Sequence, residues 1–300
     1  MKILAISYSQ TGQLDDILGN ILSPLSDLDI DRVLIKPKKA YPFPWTASEF
    51  FDAMPETVLE EPIELYDIKF KHDFYDLIIL GYQPWFLSPS LPISTLLQLA
   101  YFKKIVSETP VITIIGSRNM WINSQKSINM HIVGAGGRII GNIPFIDKNP
   151  NLISAITILY WMLKGRKDNM LKIFPKPGVS EDDINGAKKI GLILRNNIFN
   201  NTLDDFQNQV ISSGYIKIST SILFIESRAK KIFLLWARII KKQGLNKQKR
   251  FLLVYAFIYY LIFALFVVAP IVLMVYHILV LPFTLNKINK KKYYICQNKL

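Results

Sequence analysis

The chain is short of cysteine, of acid in its last quarter, and of the common nucleotide-binding signatures. Its 300 residues hold one cysteine, Cys296. No intrachain disulfide can form, and thiol catalysis would depend on a residue in the tail. There is no G-x-x-x-x-G-K-[ST], which excludes a P-loop, and no G-x-G-x-x-G, which excludes the usual dinucleotide fingerprint. Residues 226–300 contain a single acid, Glu226, against 14 Lys and Arg, whereas residues 1–225 carry 22 of each sign. The net charge of +13 therefore lies wholly in the last quarter. Phe251 to Leu281 is 31 residues without a formal charge, too long an apolar run for an ordinary soluble-core helix.

What is present begins at residue 3. Ile3, Leu4, Ala5, Ile6 and Ser7 form a nearly continuous apolar run, the signature of a strand buried on both faces of a parallel sheet. The chain then breaks into Ser9, Gln10, Thr11 and Gly12 and enters a helical pattern at Leu14, Ile17, Leu18, Ile21 and Leu22. A strand, a hydroxyl-bearing turn and a helix N-terminus together make an anion site, with backbone N–H groups and the helix dipole facing the charge. The loop has no Lys or Arg, so a phosphate here would be held by neutral donors. Ser9-Gln10-Thr11-Gly12-Gln13-Leu14 is similar to the FMN-phosphate loop of flavodoxin-like proteins, [ST]-x-T-G-x-[ST], with Leu14 in place of the last hydroxyl. An ordinary strand–turn–helix without a ligand produces the same local pattern, and both readings stand at this point.

Further buried-strand candidates are Arg32–Lys36, Tyr75–Gly81, Pro110–Gly116 and Arg138–Ile143, with helical patterns at 93–105 and 121–133 between them. Alternating strand and helix predicts an α/β fold: a flavodoxin-like, doubly wound, five-stranded parallel sheet of order 2-1-3-4-5. Such a sheet binds its ligand at the carboxyl ends of strands 1, 3 and 4. Tyr82, Gln83, Pro84, Trp85, Phe86 and Leu87 follow the third strand; Gly116, Ser117, Arg118, Asn119 and Trp121 close the fourth. Trp85, Phe86 and Trp121 are candidates to sandwich an isoalloxazine ring, and Gln83 and Asn119 to meet its polar edge. An insertion between strands 2 and 3, Tyr41-Pro42-Phe43-Pro44-Trp45 and Phe50 to Pro55, suits either a wall for an apolar substrate or simple packing. His72 reads as solvated and His131 as a structural histidine.

The organisation expected is a flavodoxin-like domain over 1–150, a helical extension over 151–222, and a basic amphipathic helix over 223–243. A transmembrane or re-entrant segment over 251–281 and a basic tail over 282–300 complete it. About 20 apolar residues cross a bilayer, and 31 helical residues would reach roughly 46 Å against a ~30 Å core, so a break at Pro270 is expected. Basic clusters flank both ends of the run, which leaves a single crossing and a re-entrant hairpin both open. The basic excess beside this run reads as membrane affinity rather than nucleic-acid binding. The residues after Met1 and Lys2 are only a strand long and do not read as a secretory signal. The expected place is the cytoplasmic face of an inner membrane, with homodimer assembly left open.

Several motifs, taken together, resemble the dialkylresorcinol condensing enzyme family. They are Tyr8-Ser9-Gln10-Thr11-Gly12-Gln13-Leu14, Phe43-Pro44-Trp45-Thr46, Phe50 to Glu60, Tyr82 to Ser90, Gly116 to Trp121 and Phe174-Pro175-Lys176-Pro177-Gly178, with the basic, apolar-ended C-terminus. The resemblance implies FMN as cofactor and a role in making 2,5-dialkylresorcinols, the lipid part of flexirubin-type pigments. A ketosynthase partner would supply a lipophilic 2,5-dialkylcyclohexane-1,3-dione, and this chain would aromatise it, with Arg118, Asn119 or Tyr82 holding the enolate oxygens. A covalent condensing role needs a Cys nucleophile beside His partners, and Cys296 lies far in sequence from His72 and His131. The rival readings are a membrane-tethered NAD(P)H:quinone or flavin oxidoreductase, an electron carrier, and a scaffold that binds no flavin.

Overall fold

The computed structural model describes residues 1–244 and 246–299. Five strands form one parallel sheet: β1 (Lys2–Ser7), β2 (Asp29–Leu34), β3 (Leu77–Tyr82), β4 (Pro110–Ser117) and β5 (Arg138–Ile146). Their spatial order is β2-β1-β3-β4-β5, and each neighbouring pair is parallel. This is the flavodoxin-like, doubly wound arrangement. The register brings Ser7 beside both Leu34 and Gly81, and Tyr82 beside Ile115, so β1, β3 and β4 end close together.

The helices follow in chain order. They are α1 (Gln13–Leu22), α2 (Ala47–Asp52), α3 (Met54–Leu59), α4 (Leu91–Gln98), α5 (Ala100–Val106), α6 (Ile122–Gly134) and α7 (Asn151–Lys164). After them come α8 (Glu181–Phe199), α9 (Phe206–Ser212), α10 (Thr220–Lys241) and the continuous helix α11 (Lys247–Cys296). One sheet face is covered by α1, α8 and α9, whose Leu14, Ile17, Ile190, Leu194 and Phe206 pack on Ile3, Ile79 and Ile112. The other carries α4, α5 and α6, with Leu96, Phe102 and Ile128 against Leu4, Ile78 and Val111. α1 and α8 cross closely because Gly191 faces the Ile21 carbonyl, where a Cβ has no room.

The structure shifts three expected boundaries. β2 occupies Asp29–Leu34 rather than Arg32–Lys36, since as the edge strand its position is set by pairing with β1, Lys2 opposite Asp29. The single pattern at 93–105 is two helices, α4 and α5, separated by an extended Leu99 with ψ 127°. β5 runs on to Ile146 because Phe145 and Ile146 pair with Gly116 and Ser117.

α10 and α11 form an antiparallel layer outside the α3–α6 face. Ala237 and Ile240 of α10 meet Val254 and Phe257 of α11 in a third apolar cluster with Phe51, Met54 and Val58. α11 is long and apolar enough to cross a membrane.

Candidate functional site

The ends of β1, β3 and β4 carry the sequence-predicted residues, and the structure sorts them by what their polar atoms do. α1 is entered through Gly12 at φ 81°, a left-handed conformation without Cβ strain only for glycine. The Gly12 carbonyl turns inward to accept from the Asp15 and Asp16 amides at 2.9 and 3.1 Å. The first amides of α1, from Gln13 and Leu14, have no acceptor within the helix by its geometry. Ser9 Oγ is buried and has no hydrogen-bond partner among the described residues. At the end of β4, Ser117 Oγ and Asn119 Oδ1 are likewise buried and unpartnered. Buried hydroxyl and amide oxygens are rarely left unpaired, so three of them beside an open helix N-terminus fit a polar, anionic ligand.

Other predicted contacts are already spent on the fold. Gln13 exchanges two hydrogen bonds with Val179, donating at 3.1 Å and accepting at 3.0 Å, so its side chain closes the loop before α8 rather than a phosphate. Gln10 donates its side-chain amide to the Tyr41 and Pro42 carbonyls, and its backbone N–H goes to Gln83 Oε1 at 2.9 Å. Leu14 lies in the core beneath α1. Trp121 is buried in the apolar cluster beside the sheet and so does not form an open ring wall. Tyr82 is fully enclosed, and its hydroxyl donates to Gln125 at 2.8 Å. Burial pushes its phenol pKa upward; the hydroxyl stays a donor, but it is enclosed and spent on Gln125, away from any substrate oxygen.

Arg118 is half-buried and donates to the Asn151 carbonyl and side-chain oxygen at 3.0 and 3.1 Å. Desolvation lowers its pKa to about 10, opposed by the carboxylates of Asp147 and Glu226. Asp147 ties the surrounding loops, accepting from Ser154 Oγ at 2.7 Å and from the Gly178 amide at 3.3 Å. Asn119 donates to Asn151 at 3.0 Å. Asn151 at the start of α7 therefore positions both β4-end residues, a role that its place in an undistinguished loop did not signal.

Trp85 and Phe86 do sit at the end of β3, in a short ribbon of residues 84–85 and 88–89. The insertion folds onto them. Trp85 meets Tyr8, Tyr41 and Trp45 edge-on at ring separations of 5.9, 5.0 and 5.7 Å. From Trp45 the contacts continue to Phe50 at 5.7 Å, to Phe51 at 5.0 Å, and to Phe257 of α11 at 6.5 Å. Phe86 packs on both Phe50 and Phe51. An aromatic seam thus joins the strand ends to the apolar helix. Trp45 Nε1 is buried within it without a partner among the described residues.

Glu226, the one acid of the basic quarter, is 1% exposed and caps α6, accepting from the Asn123 amide at 2.7 Å. Burial raises its pKa to about 7 against hydrogen bonds from Asn123, Ile122 and Trp121 and the charge of Lys126. His72 is not solvated but pairs with Asp29 at 2.8 Å, and His131 lies 3.5 Å from Glu60. Among the described residues no cluster of three or more His, Cys, Asp or Glu is placed to hold a metal.

No protein-family model and no curated protein matches the chain. Among solved structures, a flavoprotein from Lactobacillus acidophilus, crystallised in complex with FMN, is 21% identical over 48% of this chain and 92% of its own, with a TM-score of 0.40. Flavodoxin 1 from Bacillus cereus is 13% identical over 55% of this chain and 99% of its own, with a TM-score of 0.28. The Trp repressor binding protein from Bacillus subtilis, at 13% identity, covers 54% of this chain and 99% of its own, with a TM-score of 0.32. The flavodoxin-like fold rests on the strand order itself.

Proposed function

We propose that the chain is an FMN-dependent oxidoreductase that aromatises a 2,5-dialkylcyclohexane-1,3-dione to a 2,5-dialkylresorcinol at a membrane. The observation that supports the cofactor is the trio of buried, unpartnered oxygens, Ser9 Oγ, Ser117 Oγ and Asn119 Oδ1, beside the α1 N-terminus. Ser9, Thr11 and the first α1 amides would hold the phosphate. Ser117, Asn119 and the Gln83 loop would hold the ring's polar edge, with Trp85 against its face. When bound, FMN supplies the hydride acceptor that loss of two hydrogens from the dione requires.

The substrate follows from the motif resemblance and from two features of the chain. Arg118, half-buried and held by Asn151, places fixed positive charge where a dione enolate would gain from it. The core of the aromatic seam, Trp45, Phe51 and Phe257, is buried, and the half-buried Tyr41, Phe50, Trp85 and Phe86 along it would give apolar contact to a molecule with two alkyl chains. The sole thiol is half-buried beside α9, its backbone carbonyl accepting from Gln207, away from the β-strand ends. That location supports aromatisation over condensation, which would belong to a separate ketosynthase.

The test uses the full chain, purified in detergent and incubated with FMN, then with a synthetic 2,5-dialkylcyclohexane-1,3-dione. Retained flavin absorbance and resorcinol formation without NAD(P)H are expected. Turnover only with NAD(P)H and a quinone would assign the reductase instead, and a colourless preparation would remove the flavin.

A further inference from the structure

We propose that α11 lies immersed in one membrane leaflet, parallel to its surface and held at both ends by the same folded body, and does not cross the bilayer. At its start, Arg250 donates to Asp52 at 2.7 Å and to Glu56 at 2.9 Å, on α2 and α3. At its end, Ile295 is buried in the apolar cluster beside the sheet, the Cys296 carbonyl accepts from Gln207 at 2.6 Å, and Gln297 donates to Asn208 at 3.1 Å. The middle is tied too: Tyr276 stacks on Phe224 of α10 at 3.8 Å, and His277 meets Ser221 at 3.2 Å. A crossing would place the two ends a bilayer apart and require one set of these contacts to be given up.

Between its anchored ends α11 is apolar and open on nearly every side, so this stretch must be immersed among the acyl chains of that leaflet rather than rest on its surface. Val254, Phe257, Tyr276 and Ile295 face inward, whereas neighbours on different faces, such as Ile262 and Phe263, Ile271 and Val272, and Ile278 and Leu279, are all exposed. A contiguous apolar band of this length marks a lipid or protein contact, and its charge surroundings choose lipid. Lys126, Lys287, Lys290, Lys291 and Tyr294 line a shallow recess at one end of the apolar stretch, and Lys247 and Lys249 precede the other. Basic groups at both ends of the apolar stretch complement an anionic headgroup layer on one side. A helix parallel to the membrane also removes the length conflict, since 31 uncharged residues need no match to a ~30 Å core. Two π-helical turns, Ala264–Val268 and Tyr276–Val280, flank Pro270, and the helix runs through all three without the break expected there. The chain does not reverse within α11, so the geometry is not that of a re-entrant hairpin either.

The experiment places single cysteines at the two ends, Lys249→Cys and Lys290→Cys, in a Cys296→Ser full-length background, with Lys247→Cys and Lys291→Cys as a second pair. Spheroplasts and inverted membranes are then treated with an impermeant maleimide. Both ends are expected to label in one preparation and neither in the other; labelling of the two ends from opposite sides would overturn the proposal. Nitroxides at Tyr259, Phe266 and Ile278, in vesicles of phosphatidylcholine with phosphatidylglycerol, should report one shallow depth. A maximum at Phe266 near the bilayer centre would establish a hairpin and overturn it equally. Neither readout depends on flavin.

Discussion

Gln13 and Val179, 166 positions apart, hold each other by both backbone groups of Val179: the side-chain carbonyl of Gln13 accepts its N–H and the side-chain amide donates to its C=O. The pair is buried and joins the first turn of α1 to the loop that starts α8. Gln13→Leu would leave a buried N–H and C=O without partners, at about 1–3 kcal/mol each. A loss of roughly 2–6 kcal/mol in denaturant unfolding is expected, and an unchanged midpoint would show that water replaces the side chain.

Gly191 predicts a larger local failure. A Cβ there would run into the Ile21 carbonyl, which is backbone and cannot rotate away. Gly191→Ala should force α8 off α1 and cost about 3 kcal/mol. Thermal unfolding measures it, and Gly186→Ala, whose Cβ would meet only Tyr215 Oη at 3.6 Å, serves as the control with little loss expected.

Ser9 and Ser117 should behave oppositely with and without cofactor. Each hydroxyl is buried and unpartnered, so Ser9→Ala or Ser117→Ala removes a desolvation cost and should leave the flavin-free protein equal or up to about 1 kcal/mol more stable. If FMN accepts or supplies their hydrogen bonds, the same changes should weaken its binding by about tenfold, or 1.4 kcal/mol. Titration of flavin fluorescence and melting of the flavin-free protein give both halves. Destabilised flavin-free variants would make the hydroxyls structural.

Glu226 sets a pH dependence for the docking of α10 on α6. Its pKa in the fold is raised to about 7 by burial, despite Lys126 and the α6 amides, with Arg118, Lys230 and Tyr82 within its electrostatic reach. A raised acid pKa means that the folded state binds more protons than the unfolded chain. Stability from this group is therefore full below the unfolded value near 4.3 and declines as pH rises through about 7. Glu226→Gln keeps a neutral acceptor, so its stability relative to wild type should increase from pH 5 to pH 8. A difference that stays flat across that range would assign Glu226 an ordinary pKa.

The alternation of buried strands and amphipathic helices was legible because each sheet strand and each helix face is a local periodicity, and the parallel order followed from it. The β1–α1 loop was legible for the same reason: Ser9, Thr11 and Gly12 are neighbours in sequence. Tyr82 and Trp121 were misplaced because an aromatic next to a strand end reads alike whether it points to a ligand or into the core, and the register with Ile115 and the packing of α6 decide that. Asn151 and Asp147 were invisible as positioning residues, since their partners, Arg118 and Gly178, come from other segments. Glu226 left one trace, as the lone acid in a basic quarter, but its cap on α6 is a contact over 103 positions.

The amino-acid order alone determined a doubly wound α/β body, a hydroxyl-rich helix entry and an uncharged 31-residue run with basic flanks, because these depend on residues a few positions apart. Tertiary structure decided which polar atoms remain without partners at the strand ends, that the aromatic insertion joins Trp85 to Phe257, and that both ends of α11 rest on one body. Those depend on distances between segments, and burial, charge and hydrogen bonding act through space rather than along the chain.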